Sequence, residues 1–185
     1  SKMRAALAYI VDGYYLKESL RSYIARADPP NKDSQAEMNA QDFFDKPPYF
    51  LQRSVIPAKN PLAVFFEQRS CHACDVLHTG PMQAPAIMTR FEQLENIQLS
   101  FWSDTPVVTP SGERLTARQW GERLGLFYTP TLIFFDHDGK EIMRVDSVVQ
   151  FYRLRNVLDY ILSGGYREYP TFQRWRTSRS PRLLQ

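Results

Sequence analysis

Apolar positions recur in three different rhythms along the chain. Residues 4–26 have helical spacing, with Leu7, Ile10 and Val11 followed by Leu16, Leu20, Tyr23 and Ile24. Residues 27–60 are more polar and are broken by Pro29, Pro30, Pro47, Pro48 and Pro57. That stretch reads as a linker with a short helical piece near Asp33 to Phe44. From Pro61 the pattern alternates between strand and helix. "PLAVFFEQ" (61–68) is an apolar run of buried-strand length. A helix is predicted from Cys71 to His78, stopped or kinked by Gly80-Pro81, and helical spacing resumes over 84–94. Residues 97–103 read as a second strand, and 107–116 as a hairpin turning at Pro110-Ser111-Gly112. A short helix over 117–125 is closed by Gly125. Strands at 131–136 and 141–146 flank the turn "HDGK", and an amphipathic helix over 152–162 ends the pattern.

The order strand, helix, strand, helix, hairpin, helix predicts an α/β architecture. Parallel strands joined by right-handed crossovers come first, and the terminal hairpin adds antiparallel ones. The expected product is a mixed central sheet with helices on both faces, preceded by an N-terminal helical extension over 1–26. The extension also resembles the end of the chain. "MRAALAYIVDGYY" (3–15) aligns with "LRNVLDYILSGGY" (154–166), matching Arg4, Leu7, Tyr9, Ile10, Gly13 and Tyr15 to Arg155, Leu158, Tyr160, Ile161, Gly164 and Tyr166. After a one-residue slip, Leu20 faces Phe172 and Tyr23 faces Trp175. Such a repeat is expected if residues 1–26 are the tail of a preceding, related domain, or if two amphipathic helices end on similar aromatics.

Composition changes this picture little. Charged residues make up 23% of the chain and hydrophobic ones 43%, as in ordinary globular proteins. No apolar run reaches the roughly 20 residues of a membrane span, so stable membrane insertion is not expected. The net charge of +3 comes largely from Arg167, Arg174, Arg176, Arg179 and Arg182. This cluster reads as a solvated basic, aromatic tail over 167–185, and no nucleic-acid groove is indicated. The first residues lack the cleavage pattern of a secretory signal, so any export signal is expected outside this sequence.

The chemistry concentrates in "RSCHACD" (69–75), which holds the only two cysteines, Cys71 and Cys74. Cys71 falls between a buried strand and a helix, where free N–H groups and the helix dipole favour a thiolate. Cys74 lies one turn further on, within reach of a disulfide. This suggests Cys71 as nucleophile and Cys74 as resolving thiol in thiol–disulfide exchange. Other uses of the pair fit less well. A structural zinc site needs four ligands, and only His72, His78 and His137 remain as histidines, so no metal is expected. Attachment of c-type haem needs His after the second Cys, and Asp75 stands there. A purely structural disulfide closing so small a loop constrains little chain entropy.

Three stretches carry a family resemblance: "LAVFFEQRSCHAC" (62–74), "FYTPTLIFFDHDGKEI" (127–142) and the closing helix. Residues 61 to about 166 resemble a thioredoxin-fold domain. The resemblance implies a cis proline at Pro130 beside the cysteines, with Thr129 bonding bound peptide as a short added strand. Thr129, Pro130 and Ala73 are then the candidate substrate contacts. Within the superfamily, "FFEQ", "DVLH", residues 115–141 and "YREYPTFQRW" resemble the SoxW-like thioredoxins. That likeness implies an exported, periplasmic protein, protein disulfides as substrates, a membrane thiol transporter as electron donor, and no dissociable cofactor.

The sequence departs from cytosolic thioredoxins at three points, one of them the dipeptide His72-Ala73 between the cysteines. Ser70 replaces the Trp before the first cysteine, and Phe65 stands where those proteins bury an Asp. Glu67, the nearest acidic residue on that strand, is the candidate proton relay for Cys74. His72, between the cysteines, favours the Cys71 thiolate when protonated, and Arg69 adds positive charge. His78 and His137 read as packing and turn residues, and Trp102, Trp120, Phe134 and Phe135 as core. The function expected is reduction of protein disulfides. An oxidase or isomerase tuned by His72 is the enzymatic alternative, and a thioredoxin-fold module that binds partners without turnover is the non-enzymatic one.

Overall fold

The computed structural model describes residues 2–11, 13–27, 37–146 and 150–179, in two units divided between Ala36 and Glu37. The smaller unit has helices α1 (Lys2–Val11) and α2 (Leu20–Ala27), with a 3-10 turn at Tyr14–Leu16 between them. Gly13, at φ 71°, breaks what the apolar spacing reads as one helix. Tyr23 is the buried anchor of this unit, and its ring meets those of Tyr9 and Tyr14 at 5.4 and 4.8 Å.

The larger unit is built around strand β2 (Leu62–Glu67). Its sheet has the order β3-β2-β6-β7, with β3 at Glu95–Ser100, β6 at Thr131–Phe135 and β7 at Glu141–Asp146. β2 runs parallel to β3 and antiparallel to β6, and β7 is antiparallel to β6. Successive side chains point to opposite faces. Ala63, Phe65, Leu132 and Phe134 therefore meet α3 (His72–Thr79), α4 (Pro85–Phe91) and α6 (Phe151–Leu162) on one face. Leu62, Val64, Phe66, Ile133 and Phe135 meet α5 (Ala117–Arg123) on the other. β1 (Tyr49–Phe50), β4 (Pro106–Val108) and β5 (Arg114–Thr116) form a separate small sheet. Thr116 and Gln119 start α5 with a reciprocal capping box. The α/β class, the mixed sheet with helices on both faces and the element order agree with the sequence pattern. The second strand starts two residues earlier than its apolar spacing suggests, at Glu95.

Two segments differ from their sequence reading. Residues 37–60, read as linker, belong to the larger unit. The prolines interrupt regular structure there, but apolar and charged anchors still tie the segment down. Phe43 stacks on Phe91 and Phe44 meets Phe65 edge-on. Leu51 is buried, and so is Arg53, which donates to the Asn60 carbonyl at 2.7 Å and pairs with Glu95. Desolvation pulls the Arg53 guanidinium below its ordinary pKa, opposed by the Glu95 carboxylate. Residues 37–44 form no helix, and Asp33 to Ala36 of the expected helical piece lie outside the described residues.

The second segment is the C-terminal tail. Residues 165–179 form α7 (Gly165–Glu168) and α8 (Phe172–Arg179), with Trp175 buried 5.3 Å from the Tyr160 ring. Charge misleads here, because Arg179 lies 5.1 Å over the indole that anchors the helix. Residues 180–185, with Arg182, lie outside the described residues.

Docking of the tail through Trp175 makes it part of the core. Trp175→Ala is expected to cost about 3–5 kcal/mol of unfolding free energy, measured by urea titration. An undocked tail would leave the midpoint unchanged.

Candidate active site around the cysteine pair

At the end of β2 the chain must turn into α3 within a few residues. Ser70 makes the turn with a left-handed backbone, φ 53°. Cys71 follows as the N-cap of α3, and its Sγ accepts from the Cys74 N–H at 3.1 Å. Sulfur 71 thus sits where the helix presents unpaired donors, which stabilises negative charge on it. Cys71 and Cys74 are joined as a disulfide with Cα atoms 5.2 Å apart. Their exposure differs: Cys71 keeps 7% of its surface and Cys74 only 1%. Attack from outside the fold therefore reaches Cys71 first. The arrangement is competent for thiol–disulfide redox chemistry.

Sheet register brings a second loop to the same place. β2 and β6 are antiparallel with Phe66 opposite Thr131, so the chain entering β6 lies beside the chain leaving β2. The Thr129–Pro130 bond is cis. The carbonyl oxygen and Oγ1 of Thr129 lie 3.8 and 3.7 Å from Cys71 Sγ. Thr131 Oγ1 holds this loop by donating to the Tyr128 carbonyl at 2.8 Å. Phe127 and Tyr128, which precede Thr129 in the loop, are exposed, and so is Val76 on α3. Ala73 is half-buried and Pro130 is buried, while His72 points to solvent from the first turn of α3.

A buried polar cluster forms around the end of β2. Glu67 ends β2 but is only 1% exposed. Its carboxylate accepts from His78 Nε2, with 2.8 and 3.0 Å to the two oxygens, and from Gln98 Nε2 at 2.8 Å. Gln41 Nε2 lies 3.1 Å from His78 Nδ1. Gln98 also donates to the Asn39 carbonyl at 2.6 Å.

His78 is therefore the bonding partner of Glu67 and more than a packing residue. One signal for this is present in the sequence: His78 lies four residues after Cys74, on the same buried face of α3. Nothing in the local pattern points to Gln41, Asn39 or Gln98. His137 takes its expected place in the β6–β7 turn, with Nδ1 3.0 Å from the Ala58 oxygen. Trp120, Phe134 and Phe135 are core, whereas Trp102 is half-buried and donates to Gln68 Oε1 at 3.1 Å. Among the described residues, no cluster of His, Cys, Asp and Glu is placed to hold a metal, and no helix is long and apolar enough to cross a membrane.

This geometry can be set beside known proteins. The family model for the thioredoxin-like domain matches residues 52–162. No curated protein matches the chain. Among solved structures, a thioredoxin-fold protein from Helicobacter pylori superposes with TM-score 0.57 at 13% identity, covering 70% of this chain and 83% of its own. A thioredoxin from Thermus thermophilus gives 0.46 at 19% identity, over 60% and 80% of the two chains. The oxidised C-terminal domain of Neisseria meningitidis DsbD gives 0.43 at 13%, over 55% and 80%. The family match spans the sheet, the cysteine pair and the closing helix, and with them the chain belongs to the thioredoxin-like domain family.

Proposed function

We propose that this protein is a thiol–disulfide oxidoreductase that reduces disulfides in other proteins. The observation that carries the reading is the unequal placement of one bonded pair. Cys71 stands at a helix N-terminus at the rim, and Cys74 is sealed one turn below.

In the reduced protein the Cys71 thiolate attacks one sulfur of a substrate disulfide. A Cys71–substrate bond forms, and the other substrate sulfur leaves as a thiolate that takes a proton from water. Cys74 then gives up its proton and attacks Cys71 Sγ. The intramolecular disulfide forms, the second substrate sulfur leaves, and two electrons have passed to the substrate. Water reaches Cys74 poorly, so its proton needs an internal acceptor. The Glu67–His78 pair serves as that acceptor, since both groups are buried and His78 is one turn from Cys74 on the same helix face. Thr129, Pro130 and Ala73 line the substrate's approach, with the Thr129 backbone pairing to an extended peptide.

The SoxW-like resemblance supports an exported, periplasmic protein that is re-reduced by a membrane thiol transporter. His72, exposed between the cysteines, favours the thiolate when charged and pulls toward an oxidase or isomerase. The reduction potential separates these directions. A value near −270 mV is expected for a reductase, and one near −120 to −180 mV would reassign the direction of transfer.

Cys71→Ser is expected to abolish reduction of a model protein disulfide in a turbidity assay while leaving the fold intact by circular dichroism. Undiminished activity would remove the assignment of Cys71. Glu67→Gln is expected to slow release of a trapped mixed disulfide about 100-fold, followed by mass spectrometry, with little change in formation of that species. Equal slowing of both steps would point to a structural role for Glu67.

A further inference from the structure

The smaller unit reproduces the bonding pattern of the motif that closes the larger one. At an offset of 151 residues, left-handed Gly13 (φ 71°) stands for left-handed Gly164 (φ 69°). Gly13 N–H bonds the Ile10 carbonyl at 3.2 Å, and Gly164 N–H bonds that of Ile161 at 3.1 Å. Glu18 N–H bonds the Tyr14 carbonyl at 3.0 Å, as Tyr169 N–H bonds that of Gly165 at 3.0 Å. The Tyr9 hydroxyl reaches forward nine residues to the Glu18 carbonyl at 2.7 Å, and Tyr160 does the same to Tyr169 at 3.2 Å. After the one-residue slip, α2 (Leu20–Ala27) and α8 (Phe172–Arg179) correspond at both ends. Ser19 caps one as Thr171 caps the other, accepting from Ser22 N and Arg174 N at 3.1 and 3.3 Å. The Tyr9–Tyr23 rings lie 5.4 Å apart at 53°, and the Tyr160–Trp175 rings 5.3 Å apart at 58°.

A glycine stop after an amphipathic helix is common and would not by itself argue relatedness. The hydroxyl bond, the capped second helix and the ring pair are not consequences of that stop. Side-chain volumes also compensate. Gly165 leaves room for the Trp175 indole, which would stand 2.5 Å from an added Cβ. In the smaller unit a tyrosine, Tyr14, occupies the glycine's position, and the smaller Tyr23 replaces the tryptophan, with rings 4.8 Å apart.

The two motifs differ in what covers them. Leu158 and Ile161 are 0% and 1% exposed against the sheet of the larger unit, while their counterparts Leu7 and Ile10 are 55% and 63% exposed. We propose that residues 2–27 are the closing motif of a second thioredoxin-like body, supplied by polypeptide preceding Ser1, and that the Leu7–Ile10 face of α1 packs on that body's sheet. A second copy of this chain is a poorer occupant, because its own sheet is already covered by α6. The inference does not rest on the redox reading, since it uses no residue of the cysteine site.

The natural reading frame upstream of Ser1 provides the test. On the order of 100 residues with alternating strand and helix patterning are expected there. When that longer polypeptide is made, amide exchange over residues 6–11 is expected to slow at least 100-fold relative to the present chain. Leu7→Asp with Ile10→Asp is expected to abolish the protection while leaving exchange in β2 and β6 unchanged. An upstream frame without such a domain would overturn the proposal. So would a domain that leaves residues 6–11 unprotected, or α1-dependent dimers of the present chain in light scattering.

Discussion

Strand β2 is hydrogen-bonded on both edges and covered on both faces, so every residue from Leu62 to Glu67 is buried. A central strand of this kind has no slack: a slip of one residue would exchange Ala63 and Phe65 with Leu62, Val64 and Phe66 between two differently shaped cores. Its register therefore fixes what lies beyond its end. The antiparallel partner β6 starts where β2 stops, and the parallel partner β3 runs alongside to Ser100. Cys71, Thr129 and Pro130 meet because two loops share one end of one strand pair. The short α3 then presents backbone donors to Cys71 and buries Cys74.

The same strand creates a problem at Glu67. A carboxylate at 1% exposure is costly unless its oxygens are paired. Two elements supply the partners, His78 from α3 and Gln98 from β3, and Gln41 holds the other ring nitrogen of His78. Residues 39–41 thus do more than connect. Asn39 accepts from Gln98 through its carbonyl and donates to Asp75 at 2.9 Å, tying β3 to α3. A segment rich in prolines and polar residues becomes part of the core because a buried acid and base need polar neighbours that the sheet alone does not provide.

At the other end of the unit, α6, Gly164, α7 and α8 form a closing device in which a tyrosine hydroxyl and an aromatic pair hold a reversed helix. Burial raises the pKa of the Tyr160 phenol, as expected for a hydroxyl donating to a backbone carbonyl away from water. The motif is compact and largely self-bonded, which makes its recurrence at residues 2–27 recognisable.

The sequence by itself determined the alternation of strands and helices, the α/β class and the position of the cysteine pair at a strand-to-helix junction. These depend on local periodicity, on turn residues and on a spacing of three within one helical turn. It also carried the Thr-Pro beside the cysteines, but only through family likeness, since nothing local says that residues 71 and 129 are neighbours. Tertiary structure decided the rest. It decided the docking of 37–60 and 165–179 and the burial of Glu67, whose hydrogen-bond cluster with His78, Gln98, Gln41 and Asn39 joins residues 11 to 59 positions apart. Composition hid these segments, because prolines suggested a linker and arginines a solvated tail. Their outcome depended on which faces were left to cover once β2 had been placed, and that is a property of the assembled sheet.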